Sequence, residues 1–455
     1  MPEFERMTIN ELVCAQGYDC DCGRRHVCAL DYLNISRGAI ADVPQLVRAL
    51  GAKRPFVVAD ANTWRVAGER VSRLLTEAGI EHQAYVIPCA GERIAPAEWE
   101  VGSVVMHLDP KADLILGVGS GVINDICKVV AHASGRKNAI VGTAPSMDGY
   151  ASNSSSMEVN HVKVSLFNQA PSGILLDTDI LCQAPMRMLW AGLGDMVAKY
   201  IATCEWRISH LVTGEYYCEH VAALMRAALK RVADAADGIP ARDPDAIQSI
   251  AEGLVIAGIG MAYAQISRPA SGLEHYFSHM WEMMALERGE PYDLHGIQVG
   301  VGTELTMKLC GKLKEVKPDR AVAEAYWADM TQEKWEAQIR RIFGKTAPEI
   351  IELEGALHKN DPAEHQERLE RIITHWEEIL AIVREELPDY DALHSLMKKA
   401  GLPLRPSEIG VSVDDTVNAF IGSRDIRKKY LTSTLLWDLG LTGEFADYLR
   451  QVAES

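Results

Sequence analysis

The chain has 455 residues, 48% of them hydrophobic and 24% charged, proportions that fit a globular protein and not a disordered or fibrous one. Lys and Arg number 46 against 63 Asp and Glu, a formal charge of −17, which argues against nucleic acid or an anionic membrane surface as a partner. A small anionic substrate stays open, because a local pocket can oppose the global sign.

In chain order, the first segment, MPEFERMTINELVCAQ, has no basic stretch leading into an apolar one, so no secretory signal is expected. Next come Cys14, Cys20, Cys22, His26 and Cys28. They invite a zinc reading, but their C-x5-C-x-C-x5-C spacing lacks the paired C-x2-C knuckles of structural zinc sites, and the cluster is not counted as a site. Six further cysteines lie singly between Cys89 and Cys310 in apolar surroundings. They read as buried thiols in a reducing cytoplasm.

From Pro55 to Asp177 short β-rich runs recur: PFVVAD, QAYVIP, ADLILGVGSG, NAIVGTAPS, HVKVSLF and GILLD. Between Ala67 and Ser134 they alternate with helical patterns, which predicts a parallel sheet with helices on both faces. Asp60 ends the first run, where an acid either accepts bonds from an adenosine ribose or caps the next segment. The run ADLILGVGSG leads straight into GVINDICKVVAHA, so Gly117, Gly119 and Gly121 fall at a strand-to-helix turn whose amides can approach a pyrophosphate. Asn124 and Asp125 follow in the helix start. The loop Thr143 to Ser156, TAPSMDGYASNSSS, lies at the carboxyl end of another expected parallel strand, where such sheets bind ligands.

After Asp179 the apolar spacing becomes helical, and the rest is expected to be mostly α. The longest apolar stretch, Gly253 to Ala264, falls short of the roughly 20 residues that span a bilayer, so no membrane insertion is expected. Asp195, in AGLGDMVAKY, is an acid among apolar neighbours on a buried helix, and needs a partner there. His275 and His279 are four apart and share a helix face, while His295 opens the next helical segment. Two imidazoles and a carboxylate suit one divalent ion. The charge-rich region Ala347 to Ala400 reads as solvated amphipathic helices.

Taken together, GVGSGVIND, TAPSMDGYAS, AGLGDMVAKY, SGLEHYFSHMWEM and LHGIQVGVGT resemble the iron-containing alcohol dehydrogenase and dehydroquinate synthase superfamily, and within it the sn-glycerol-1-phosphate dehydrogenases of the bacterial AraM-like branch. The resemblance implies an α/β fold in which a Rossmann-like parallel-sheet domain, residues 1–180, precedes an all-α metal- and substrate-binding domain, residues 181–455. It implies NAD(H) or NADP(H) held by Asp60, Gly119, Ser120, Gly121, Val122, Ile123, Asn124, Asp125, Thr143, Ala144, Pro145, Ser146 and Ser152. One Ni or Zn ion would be bound by Asp195, His275 and His295, and substrate contacted by Asp148, Asp195 and His279, with His279 as proton donor. The implied reaction is reversible reduction of dihydroxyacetone phosphate to sn-glycerol 1-phosphate in a homodimer. Dehydroquinate synthase, which carries Glu where Asp195 stands, and glycerol dehydrogenase are the rival activities. A catalytically silent oligomeric scaffold is the rival outside enzymes.

Overall fold

The computed structural model describes residues 3–89, 94–159 and 162–454. A short antiparallel hairpin of β1 (Tyr18–Asp19) and β2 (Arg25–His26) precedes a six-stranded sheet. That sheet contains β3 (Tyr32–Ser36), β4 (Pro55–Asp60), β5 (Gln83–Ile87), β6 (Leu114–Gly119), β7 (Lys137–Gly142) and β10 (Gly173–Asp177), in the order β3-β10-β7-β6-β4-β5, with every pair parallel. β6 and β10 are buried along their whole length. This is why they read as unbroken apolar runs: a parallel strand covered on both faces has no polar side.

Two strands depart from the sequence expectation. YLNIS forms the edge strand β3, half-buried throughout, paired from Tyr32 opposite Gly173 to Ser36 opposite Asp177. HVKVSLF does not join the parallel sheet; β8 (Ser154–Val159) and β9 (Val162–Phe167) form a separate antiparallel hairpin. The apolar content of that run misled, since Leu166 and Phe167 are 37% and 78% exposed.

The helices that carry the site are α1 (Gly121–Ser134), α2 (Met186–Val197), α3 (Lys199–Thr213), α4 (Glu219–Ala235), α5 (Pro244–Ala264), α6 (Leu273–Arg288) and α7 (His295–Leu313). By compactness the chain divides into Met1–Met196 with Glu219–Pro269, and Val197–Cys218 with Ala270–Ser455. The boundary expected at residue 180 lies just after the last strand, which ends at Asp177, whereas the compact units interleave along the chain. Helix α5 shows why. It is apolar on nearly all sides, long enough to cross a membrane, yet 72% of its apolar window is buried inside the protein. Gly258 lets it lie against the loop after β7, where an added Cβ would stand 2.8 Å from the Ala151 Cβ. Burial of that kind ties α5 to the sheet-bearing unit.

Within the second unit the start of α6 packs closely on the middle of α7. A Cβ on Gly302 of α7 would lie 2.4 Å from the Glu274 carbonyl oxygen, so only glycine permits the approach. Glu205 of α3, almost fully buried, accepts from the Leu273 amide at 3.0 Å and from the Thr432 amide at 2.8 Å. An acid there satisfies an orphan donor and suits the positive end of the α6 dipole.

Candidate active site

In the first unit, register brings the carboxyl ends of β4, β6 and β7 side by side, with Gly119 opposite Gly142. From β4 the chain passes to β5 on one side and then returns to β6 on the other. The crevice between the ends of β4 and β6 is therefore the topological switch point, where open α/β sheets take their ligands. Asp60 lies on one side of it and Gly119 to Gly121 on the other. Ser120 caps α1 without a side-chain bond to the first turn, so the dipole and amides of that 14-residue helix keep their affinity for an anion. Gly119 is required by the turn itself, since an added Cβ would meet Ile123 Cγ1 at 2.5 Å.

The other residues expected around a dinucleotide divide into backbone and side-chain roles. Asp60 does cap: its Oδ1 accepts from the amides of Asn62 at 2.7 Å and Thr63 at 2.9 Å. Val122 is half-buried beside Ile123, which is core. Asn124 donates to the Gly149 carbonyl at 3.1 Å, and Asp125 accepts from the Ser156 amide at 3.1 Å and pairs with Lys128 at 2.9 Å. Asn124 and Asp125 thus hold the following loop onto α1. The Thr143 amide donates to the Gly119 carbonyl at 3.0 Å, joining the two loops directly. Thr143, Ala144 and Ser146 are buried along with Pro145, and Tyr150 donates its hydroxyl to the Ala144 carbonyl at 2.6 Å. Burial raises the Tyr150 phenol well above its ordinary range, so it stays a donor. The Ser152 hydroxyl lies 2.9 Å from that of Ser154 at the start of β8.

Asp195 is fully buried in α2, within a buried run from residue 191 to 199. Its Oδ2 accepts from the backbone amide of Asp148 at 2.9 Å, which brings these two expected site residues together. Gly192, one turn earlier, makes this possible: a Cβ there would be 1.9 Å from the Pro145 carbonyl oxygen, so α2 rests directly on the TAPS loop.

In the second unit the three histidines cluster. The His275 and His295 rings are 5.3 Å apart, His279 stacks on His295 at 5.5 Å, and His275 lies 6.4 Å from His279. A carboxylate only accepts, so His275 Nδ1–H donates to Glu274 Oε1 at 2.8 Å, leaving the lone pair on Nε2. His295 Nδ1 lies 3.0 Å from Ser278 Oγ and 3.3 Å from Glu282 Oε1. Metal-binding imidazoles are held in this way, by an acid or hydroxyl on the opposite nitrogen. The acids themselves favour a cation. Glu274 is fully buried, and its Oε2 has no hydrogen-bond partner among the described residues. A buried carboxylate with an unsatisfied oxygen is costly unless positive charge stands near. The donor set therefore fits a divalent ion.

Glu274, Ser278 and Glu282 were not singled out from the sequence. Ser278 and Glu282 share a helix face with His275 and His279, at the i, i+3, i+4, i+7 spacing, but spacing alone does not tell a buried acid from a solvated one. Lys199, one turn after Asp195, is buried and donates to the Ala270 carbonyl at 3.1 Å. Arg268, just before α6, is 1% exposed. Of the six scattered cysteines, Cys127, Cys204, Cys218 and Cys310 are buried, and burial pushes the Cys310 thiol up to about 12.

Residues 34–185 match the model of the iron-containing alcohol dehydrogenase family. The chain is 35% identical over 293 residues to a glycerol-1-phosphate dehydrogenase [NAD(P)+] of Halalkalibacterium halodurans, covering 64% of this chain and 73% of that one. It is 36% identical over 280 residues to one of Methanosarcina mazei, covering 61% and 76%. Among solved structures it is similar to a probable glycerol dehydrogenase from Sinorhizobium meliloti, with a TM-score of 0.60 over 93% of this chain and 98% of that one. At 18% identity this last likeness speaks for the fold alone.

Proposed function

The chain belongs to the glycerol-1-phosphate dehydrogenase family, within the iron-containing alcohol dehydrogenase superfamily, and from that premise we propose that it reduces dihydroxyacetone phosphate reversibly to sn-glycerol 1-phosphate with NAD(P)H and a divalent metal. The observation that carries the chemistry is the pair of imidazoles whose Nδ1 atoms are each engaged by an acid or hydroxyl. The family likeness carries the substrate.

In this reading His275 and His295 offer Nε2 to the ion, and Asp195, assigned by resemblance, supplies the carboxylate. Zinc and nickel both suit mixed imidazole and carboxylate ligands. When bound, the ion supplies Lewis-acid stabilisation of charge developing on the C2 oxygen, and the nicotinamide supplies hydride. The chain's own part is to position and to move a proton. The first turn of α1 takes the pyrophosphate, the Thr143 to Ser152 loop lines the nicotinamide side, Asp148 contacts substrate, and His279 donates the proton that makes the C2 oxygen an alcohol. The enzyme works as a cytoplasmic homodimer.

A second ligand set is favoured by one observation: donor atoms of His279, Glu282 and His295 all lie within 4.8 Å of one another. In that arrangement His279 is a ligand and not a proton donor.

The test is cofactor oxidation with dihydroxyacetone phosphate, dihydroxyacetone and the dehydroquinate precursor side by side. The phosphate is remote from C2, so its binding energy can orient the carbonyl, and dihydroxyacetone should lose turnover as well as affinity. A charged hydrogen bond of roughly 1.5–3 kcal/mol sets the discrimination at about tenfold or more. Coupling the product to an sn-3-specific glycerophosphate dehydrogenase should give no signal; a full signal would overturn the assignment.

A further inference from the structure

The N-terminal cysteines, whose spacing in sequence argued against a zinc site, fold into a different pattern in space. β1 and β2 pair Tyr18 with His26 and Asp19 with Arg25, so the tip of the hairpin is CDCGR. The tip is closed by bonds from the Cys20 amide to the Arg24 carbonyl and from the Gly23 amide to the Cys20 carbonyl, both 3.2 Å. Gly23 adopts a φ of +83°, the left-handed region that favours glycine. The turn aims Cys22 back at the return strand, where its Sγ lies 3.4 Å from His26 Nε2.

His26 is held as a ligand would be. It is fully buried, and its Nδ1 is 2.9 Å from the Tyr263 carbonyl near the end of α5, so Nδ1 carries the proton and Nε2 the lone pair. The rings of Phe4 and Tyr263 enclose it, at 5.5 and 5.4 Å. Arg24 adds a bond to the Ala264 carbonyl at 2.6 Å. The sulfurs of Cys20 and Cys22 and a nitrogen of His26 lie within 4.8 Å of one another. Tetrahedral zinc with bonds to sulfur of about 2.3 Å sets sulfurs roughly 3.8 Å apart, so little movement is needed to admit the ion. A fourth donor is at hand along the chain. α4 begins at Glu219, its His220 meets Asp21 on the hairpin tip at 3.1 Å, and the residue before Glu219 is the buried Cys218.

We propose that Cys20, Cys22 and His26, completed by Cys218, bind one zinc-class ion at a second metal site, separate from the catalytic one. Thiolates select a soft ion over Mg or Mn, and four protein ligands leave no open position, so the site is structural. Its purpose follows from the size of the hairpin. Two strands of two residues each cannot hold their shape by their own hydrogen bonds, and a metal supplies the folding energy that a core does not. Cys14 and Cys28 stay outside the set; Cys28 is buried, and its amide bonds the Cys14 carbonyl at 3.3 Å.

The experiment uses the full-length chain purified without chelator. Metal analysis should find one equivalent of zinc that persists in His275→Ala/His295→Ala and is lost in Cys22→Ser, while Cys22→Ser retains dihydroxyacetone phosphate reduction. Because Cys22→Ser could fail to fold, the deciding measurement is cobalt substitution of the His275→Ala/His295→Ala protein, with the cysteines intact. A sulfur-to-cobalt charge-transfer band, with Cys20, Cys22 and Cys218 shielded from maleimide until chelator is added, supports the site. Absence of the band, free alkylation of the three thiols in native protein, or a Cys20–Cys22 disulfide in protein from reducing cytoplasm overturns it. None of these readouts depends on the substrate assignment.

Discussion

At the scale of single residues, the proposed site divides its histidines between two roles, His275 and His295 as ligands and His279 as proton donor. Removing Asp195, His275 or His295 by alanine substitution should abolish the catalytic metal and turnover together, leaving only the equivalent held by the cysteines, since a three-ligand site that loses one ligand loses its geometry. His279→Ala should keep the metal while turnover falls about a hundredfold, the usual size of a lost acid-base group. If His279→Ala loses metal and His275→Ala keeps it, the set of His279, Glu282 and His295 is the true one. Glu274 gives a subtler test. Gln in its place can turn either an oxygen or an amide toward His275 Nδ1, so the imidazole is no longer fixed in one tautomer. Metal affinity of Glu274→Gln, read by competition with a chelator, should drop about 10- to 100-fold, with the melting curve of the metal-free protein little changed. An unaltered affinity would make Glu274 a purely structural acid.

At the scale of elements, close approach decides the geometry. Gly192 and Gly302 bring α2 onto the TAPS loop and α7 onto α6, and in each case an added Cβ would stand 1.9 or 2.4 Å from a backbone oxygen. Alanine at either position should destabilise the protein by about 1–3 kcal/mol, read as a lower melting temperature. Gly311→Ala is the control: its Cβ would meet nothing within 4 Å, and helix propensity should make it neutral or stabilising by up to about 1 kcal/mol. The central strands were legible in the sequence because strands buried on both faces carry few polar residues, Asn138 and Asp177 being exceptions near strand ends. The edge strand β3 was not, since YLNIS is short and half-buried throughout, without the long apolar run of the central strands. The histidines were legible because helix spacing is a local property. Their orienting acids were missed because Glu274 and Glu282 have the same composition as solvated charges, and only burial distinguishes them. The proposed thiol site does not stand out in the sequence, because Cys20 and Cys22 are two positions apart and not three, and its fourth donor is distant in sequence, at position 218.

At the scale of the whole molecule, the net charge of −17 sets a condition on catalysis that no single residue reveals. Dihydroxyacetone phosphate approaches as a dianion, so the summed field of the chain repels it at distances beyond the site. Near the site, local cations and the bound metal must reverse the sign. These two influences respond differently to salt. Long-range repulsion is screened once the Debye length shrinks from about 30 Å at 0.01 M to about 8 Å at 0.15 M, whereas contacts inside a desolvated pocket are screened much less. With cofactor saturating, kcat/KM for dihydroxyacetone phosphate should therefore rise several-fold as sodium chloride is raised over that range. The uncharged dihydroxyacetone should show no such rise, which separates the charge effect from any change in the protein itself. The comparison is read as the ratio of the two kcat/KM values at each ionic strength. A ratio that falls steeply with salt would mean that a basic surface around the site steers the substrate in and outweighs the acidic balance of the chain.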